Sequence, residues 1–200
     1  MDRIEALLRG GSGEPDRLPD LVEAANRAGL LDVAYTVEDS PVGPLLLAVT
    51  RRGLVRVAYL DGGERADEVL EDLADHISPR VLAAPSRLDE TRRELEEFFA
   101  GRRQRFELAL DWRLVRPGFG RRVLEATSRI PYGAVSSYKL VAGEAGSPRA
   151  YRAAGTALGG NPLPIVVPCH RVLHSGGGLG GYTGGLHIKM KLLSLEGVVF

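Results

Sequence analysis

The run Asn161-Pro-Leu-Pro-Ile-Val-Val-Pro-Cys169-His170-Arg171-Val172 constrains this chain more tightly than any other stretch. A short apolar strand, Ile165 to Val167, is stopped by Pro168, and Cys169 follows at once. Proline favours the first helical turn, so the run predicts Cys169 at a helix N-terminus. Free backbone N–H groups there favour a thiolate over a thiol. Cys169 is the only cysteine among 200 residues, which excludes an internal disulfide and a cysteine-built zinc site. A lone, activated thiol is a nucleophile candidate. The alternative is a buried, inert thiol acting as a small hydrophobe. The flanking Pro168 and His170-Arg171 weigh against it, because a core strand has no use for them.

At 44% hydrophobic and 26% charged residues the chain can bury a proper core, and its length fits one domain or two small ones. No stretch is apolar enough to span a membrane, and the first residues lack the apolar core of a signal peptide. A cytoplasmic protein is predicted, or a nuclear one in a eukaryote, without a membrane partner. The net charge is zero, but its distribution is not even. Residues 1–114 hold 16 basic and 23 acidic side chains, and residues 115–200 hold 10 basic and 3 acidic ones. An acidic front half is therefore joined to a basic back half that carries the cysteine. That basic half points to a polyanion-facing surface. Chance segregation of solvated charge is the plainer alternative.

Residues 1–32 read as an appendage with a Gly10–Pro15 breaker and a helical pattern from Leu18 to Leu31. Residues 33–114 read as a small α+β domain with an antiparallel sheet. Its strands are Ala34–Val37, Leu45–Val49 and Leu54–Tyr59, with a tight hairpin at Arg51-Arg-Gly53. Amphipathic helices follow at Asp67–Ile77 and Leu88–Ala100, then an alternating strand at Phe106–Leu110. This half shows no catalytic cluster; its His76 reads as a surface residue at a helix end. Residues 115–200 read as mostly helical. Phe119–Ile130 is one helix, and Ser137–Ala142 and Pro148–Leu158 flank a Gly-containing turn. That pair reads as a helix-turn-helix, or as an ordinary helical hairpin. Arg149, Arg152 and the small Ala150, Ala153, Ala154 and Gly155 favour a helix that meets DNA closely. A Gly-rich loop, Leu173–Tyr182, precedes the last helix, Leu186–Leu195.

Pro168-Cys-His-Arg-Val172, preceded by Gly160-Asn161-Pro-Leu-Pro164, resembles the active-site signature of the O6-alkylguanine-DNA alkyltransferases. Ile130-Pro-Tyr-Gly133 with Ser137-Tyr138, Arg152-Ala-Ala-Gly155, Gly181-Tyr182-Thr-Gly-Gly-Leu186 and Leu195-Glu196-Gly197 match in order and spacing. The match is strong from about residue 117 to 197, weaker from 33 to 110, and absent from 1 to 32. Together these segments are far more specific than a Cys-His-Arg triplet alone.

The resemblance implies irreversible, single-turnover transfer of an alkyl group from O6 of guanine, and also O4 of thymine, onto Cys169. It implies that His170 deprotonates the thiol through a water, that Glu196 orients His170, and that Tyr138 donates to the departing guanine. It also implies that Asn161 ties the loop ahead of the cysteine. The partner implied is double-stranded DNA, met through the minor groove by a monomer. The damaged nucleotide is flipped out and Arg152 fills the gap, with Arg149, Ser137, Tyr151 and Gly155 on the same surface. Tyr151 stands where the family commonly has a small residue. The pocket is expected from Pro164, Val172, Tyr182, Thr183 and Gly184, with the Thr183 hydroxyl on O6. Gly184 and Gly180-Gly181 leave room for groups larger than methyl, including benzyl. No cofactor motif is present, and no metal site is expected. Three rivals remain on sequence: a non-catalytic lesion binder, a Cys-His hydrolase, and a DNA-binding regulator with an incidental thiol.

Overall fold

The computed structural model describes residues 24–25, 28–61 and 64–199. Of the helix expected over residues 18–31, only residues 24, 25 and 28–31 are among these; the rest lies outside the described residues. The fold is α+β, with an antiparallel-rich sheet in the front half and a helical back half.

The three strands expected from alternation are β1 (Val33–Glu38), β2 (Leu45–Thr50) and β3 (Gly53–Tyr59), paired antiparallel in sequence order. After α1 (Ala66–His76), a short β4 (Val81–Ala83) adds parallel to β1, giving the order β3-β2-β1-β4. Every residue of β2 is buried, because the sheet is covered on both faces. Leu46 and Ala48 pack with Val55, Ala58 and, from α1, Val69 and Leu73. Leu45, Leu47 and Val49 face the other way, into a core shared with the back half. A register shift beside Val49 lets Leu54, Val57 and Tyr59 of β3 join that same core. His76 ends α1 as an exposed residue.

A 3-10 turn (Pro85–Leu88) leads into α2 (Asp89–Phe99), which buries Leu95 and Phe98 against the shared core. The segment Phe106–Leu110 is not the strand that its alternation predicts. Only Leu110 forms a bridge, with Leu54, and the Glu107 N–H goes to the buried carboxylate of Glu94 instead. Gly53 permits this crossing: a Cβ there would sit 2.1 Å from the Ala109 carbonyl oxygen, which accepts from Leu54 N–H.

The back half holds α3 (Phe119–Thr127), α4 (Tyr138–Glu144), α5 (Tyr151–Gly159) and α6 (Leu186–Leu195). α3 stops three residues short of Ile130, ahead of Pro131. α4 is capped by the Ser137 hydroxyl, which accepts from Leu140 N–H. α5 begins at Tyr151, not Pro148, so Arg149 sits in the turn before the helix. Residues 136–137 pair in parallel with residues 172–173 as β5 (Ser136–Ser137) and β6 (Val172–Leu173), which joins the helical pair to the segment after the cysteine.

Candidate active site

The turn that carries Cys169 is built by one side chain. Asn161 accepts from Leu163 N–H at 3.0 Å through its carbonyl and donates at 2.8 Å to the Val167 carbonyl through its amide. The amide nitrogen also stands 3.2 Å from Cys169 Sγ. The strand expected at Ile165–Val167 is therefore absent. Those residues form a buried turn, with Ile165 at φ +72°, and the Asn161 amide does what a neighbouring strand would otherwise do. A β-branched residue in the left-handed region costs about 1–3 kcal/mol, which the surrounding packing must offset.

The helix expected to begin at Cys169 is a single 3-10 turn, Cys169–Arg171. Burial, not a helix end, dominates the thiol. Cys169 is 6% exposed, and desolvation pushes its pKa up. The Asn161 amide, the Lys189 ammonium and the Tyr182 hydroxyl act in the opposite direction without overcoming it. The thiolate is therefore the minor form at neutral pH. Iodoacetamide should label Cys169 more slowly than an exposed thiol at pH 7, with the rate climbing about tenfold per pH unit into the alkaline range. A rate already level at neutral pH in a stopped labelling series would contradict this.

Behind the thiol lies a buried charged cluster. His170 Nε2 stands 2.8 Å from Glu196 Oε1, and the guanidinium of Arg171 grips both Glu196 oxygens at 2.8–3.1 Å. Gly133, through its N–H, is the third residue to donate to the carboxylate. Burial works to raise the Glu196 carboxyl, but the hydrogen bonds from His170 and Arg171 outweigh it and bring it down to about 2. Burial also pushes His170 below its ordinary value, so the ring is neutral at pH 7. With Nε2–H donating to an ionised Glu196, Nδ1 carries the lone pair; it is buried and has no hydrogen-bond partner among the described residues. Glu196 is the residue that caps the end of α6.

Cys169 opens on a cavity of about 1000 Å³ walled by Tyr138, Arg152, Gly155, Tyr182 and Thr183, among others. Tyr138 is half-buried, packs at a tilt against His174 with ring centroids 5.2 Å apart, and has its pKa raised by burial and by the nearby thiol. Tyr151, Arg152 and Ala153 are exposed on the outer face of α5, with the Arg152 guanidinium 5.7 Å from the Tyr151 ring centre.

Three expected pocket residues are not at the cavity. Val172 is fully buried in the core, and Pro164 is buried on the far side of the turn. Gly184 leaves no room for a ligand: its free side is filled by the ring of Tyr59, 2.7 Å from where a Cβ would stand. The space beside Gly180 is likewise taken by the Tyr138 hydroxyl. Gly181 does face open space in the cavity wall. The Thr183 hydroxyl already donates to the Gly159 carbonyl at 2.8 Å, so it must release that bond to donate elsewhere.

Arg171, Lys189 and Tyr59 join the site without being singled out by the motifs, although Arg171 directly follows His170. Lys189 is fully buried, donates to the carbonyls of Val172 and Leu179, and is brought down to about 8 by burial. Its signal was a cation on the same helical face as Leu192 and Leu193. Tyr59 comes from the front half and had no local signal.

Two family models match the chain: the DNA binding domain of 6-O-methylguanine DNA methyltransferase over residues 118–198, and its ribonuclease-like domain over residues 33–112. A methylated-DNA–protein-cysteine methyltransferase of Methanosarcina barkeri is 41% identical over 164 residues, 81% of this chain and 96% of the relative. The constitutive enzyme of that name from Bacillus subtilis is 36% identical, over 83% of this chain and 96% of the relative. The crystal structure of Mycobacterium tuberculosis O6-methylguanine methyltransferase is similar with a TM-score of 0.69 at 36% identity, covering 82% of this chain and 92% of that one. Mycobacterium tuberculosis OGT in complex with DNA gives the same figures.

Proposed function

The chain belongs to the 6-O-methylguanine DNA methyltransferase family, and from that premise we propose that Cys169 is the acceptor of an alkyl group carried on O6 of guanine. The protein reverses DNA damage directly, by alkyl transfer, and DNA is its partner.

His170 Nδ1 takes the Cys169 proton through a water, and Glu196 holds the ring in the tautomer that allows it. The thiolate attacks the alkyl carbon in line. The S–C bond forms as the C–O6 bond breaks, and guanine leaves with the electron pair. Tyr138 donates a proton to the departing base. The thioether is stable, so each molecule acts once, on O4-alkylthymine as well as on O6-alkylguanine. Asn161 keeps the sulfur in place throughout.

The reactive carbon of a stacked base is out of reach, so the nucleotide is flipped into the cavity. Arg152 enters the stack in its place. The small Ala153 on the outer face of α5, with Gly155 against Tyr138 at the cavity wall, allows close approach in the minor groove, with Arg149 and the Ser137-capped helix on flanking phosphates. The protein acts as a monomer in the cytoplasm; among the described residues no helix is long and apolar enough to cross a membrane. The chain divides into an appendage, 1–32, a front unit, 33–114, and the unit that does the chemistry, 115–200; the extents of the two family models support this division.

One observation carries the reading. The lone thiol stands in the wall of a large cavity beside α5, backed by a neutral histidine on an ionised glutamate. The test is mass spectrometry of the intact protein and its peptides after mixing with a duplex containing O6-methylguanine. One methyl group gained on Cys169, with guanine restored in the DNA, is expected. Binding with no mass change would leave a lesion sensor, and repeated turnover on a model ester would leave a hydrolase.

A further inference from the structure

Tyr59 is the last residue of β3, an edge strand of the sheet. That edge is not free: Val57 N–H donates at 2.9 Å to the carbonyl of Pro162, next to the Asn161 that holds the sulfur. Two residues on, the Tyr59 side chain reaches across the boundary between the halves and is only 3% exposed. Its hydroxyl lies 2.8 Å from the hydroxyl of Tyr182, with ring centroids 6.0 Å apart. The glycine at 184 is what admits this ring, since a Cβ there would stand 2.7 Å from it. Tyr182 in turn lines the cavity with Cys169, and its hydroxyl works against burial to lower the pKa of the thiol.

We propose that Tyr59 is a positioning residue for Cys169, its hydroxyl donating to Tyr182 so that the two phenols form a relay ending on the sulfur. The proposal rests on the reading of Cys169 as the alkyl acceptor. Each phenol has one proton to give. When the sulfur is ionised, the Tyr182 O–H donates a hydrogen bond to it, and the Tyr59 O–H donates one to the Tyr182 oxygen. When the sulfur is protonated, Tyr182 is free to turn back towards Tyr59. The relay is thus complete only with the thiolate, and chained hydrogen bonds strengthen one another in a dry site. The front half, none of whose described residues lines the cavity, contributes to the reaction through this pair.

The test reads the pH profile of Cys169 labelling by iodoacetamide in the full-length protein without DNA. Tyr59→Phe keeps the ring and removes the donor. It should slow labelling at neutral pH by about threefold to tenfold and move the profile to higher pH. Tyr182→Phe should do at least as much, and the double variant no more than Tyr182→Phe, because Tyr59 acts through Tyr182. Should Tyr59→Phe fold poorly, 3-fluorotyrosine placed at position 59 keeps ring and hydroxyl with a more acidic proton, and should move the profile to lower pH. An unmoved profile in a folded Tyr59→Phe protein or in the fluorinated one overturns the proposal, as do effects of the two phenylalanines that simply add. Failure of the alkyl-acceptor reading is seen separately, as wild-type protein that takes no methyl group from the duplex.

Discussion

Cys169→Ala should abolish alkyl transfer outright while leaving lesion binding close to wild type. The chain has no second thiol to substitute. His170, beside the sulfur, is buried with Nε2 bound to Glu196, and the Lys189 amine is held by the carbonyls of Val172 and Leu179. Loss of the sulfur therefore removes the bond-forming atom, not a stabilising contact. The flanking structure should survive: Asn161 still spans Leu163 N–H and the Val167 carbonyl, and the side chain lost is small. A buried cut of this size costs on the order of 1 kcal/mol, well inside the stability of an ordinary domain. The measurement pairs gel-shift affinity for an O6-methylguanine duplex with the fraction of guanine restored after long incubation. Any restored guanine above background from the alanine protein would place the acceptor elsewhere. A collapse of binding together with transfer would mean that the thiol is part of the recognition surface and not only of the chemistry.

How much of this was legible in the sequence depended on the range of the interaction concerned. β1 to β3 and the two front helices follow from local periodicity, and α6 spans the residues that its pattern predicts. Where the structure departs, a side-chain hydrogen bond or a packed ring has overridden the local pattern. Ile165–Val167 is apolar enough for a strand, but Asn161 satisfies the backbone from within the turn. Phe106–Leu110 alternates, yet Glu94 takes the hydrogen bond that a strand would have needed. Gly184 implies room for a ligand in the sequence, but the ring of Tyr59, 125 residues earlier in the chain, fills that space. The acidic back wall of the site is a middle case. Glu196 and His170 were named from the motif, but the bidentate hold of Arg171 on the same carboxylate needs the geometry of three elements at once.

That carboxylate is where a single atom change should cost the fold most. Glu196→Gln keeps the shape but replaces one acceptor oxygen with a donor. Glu196 receives hydrogen bonds from His170, Arg171 and Gly133, so an amide N–H must face a donor whichever way it turns. The guanidinium of Arg171, 5% exposed, then loses its counter-ion. Breaking a buried pair from one side typically costs about 3–5 kcal/mol. The pH dependence gives an independent check with a definite sign. The Glu196 carboxyl ionises at about 2 in the folded protein against 4.5 when unpaired. Its contribution is fully present above pH 4.5. As pH falls from there towards 2, the unfolded chain binds the proton first, and about 3 kcal/mol of stability is lost. His170, held neutral by burial, works in the same direction as pH drops below its ordinary value of 6.5. Urea unfolding at a series of pH values should therefore show the wild type losing stability steadily in acid. Glu196→Gln should start several kcal/mol lower at neutral pH and lose less on the way down. Alkyl transfer should fall by about a hundredfold or more, since nothing then holds His170 in the tautomer with a free Nδ1. A glutamine protein within about 1 kcal/mol of wild type at pH 7, with the same acid limb, would mean that Arg171 and His170 are held by packing and not by this charge.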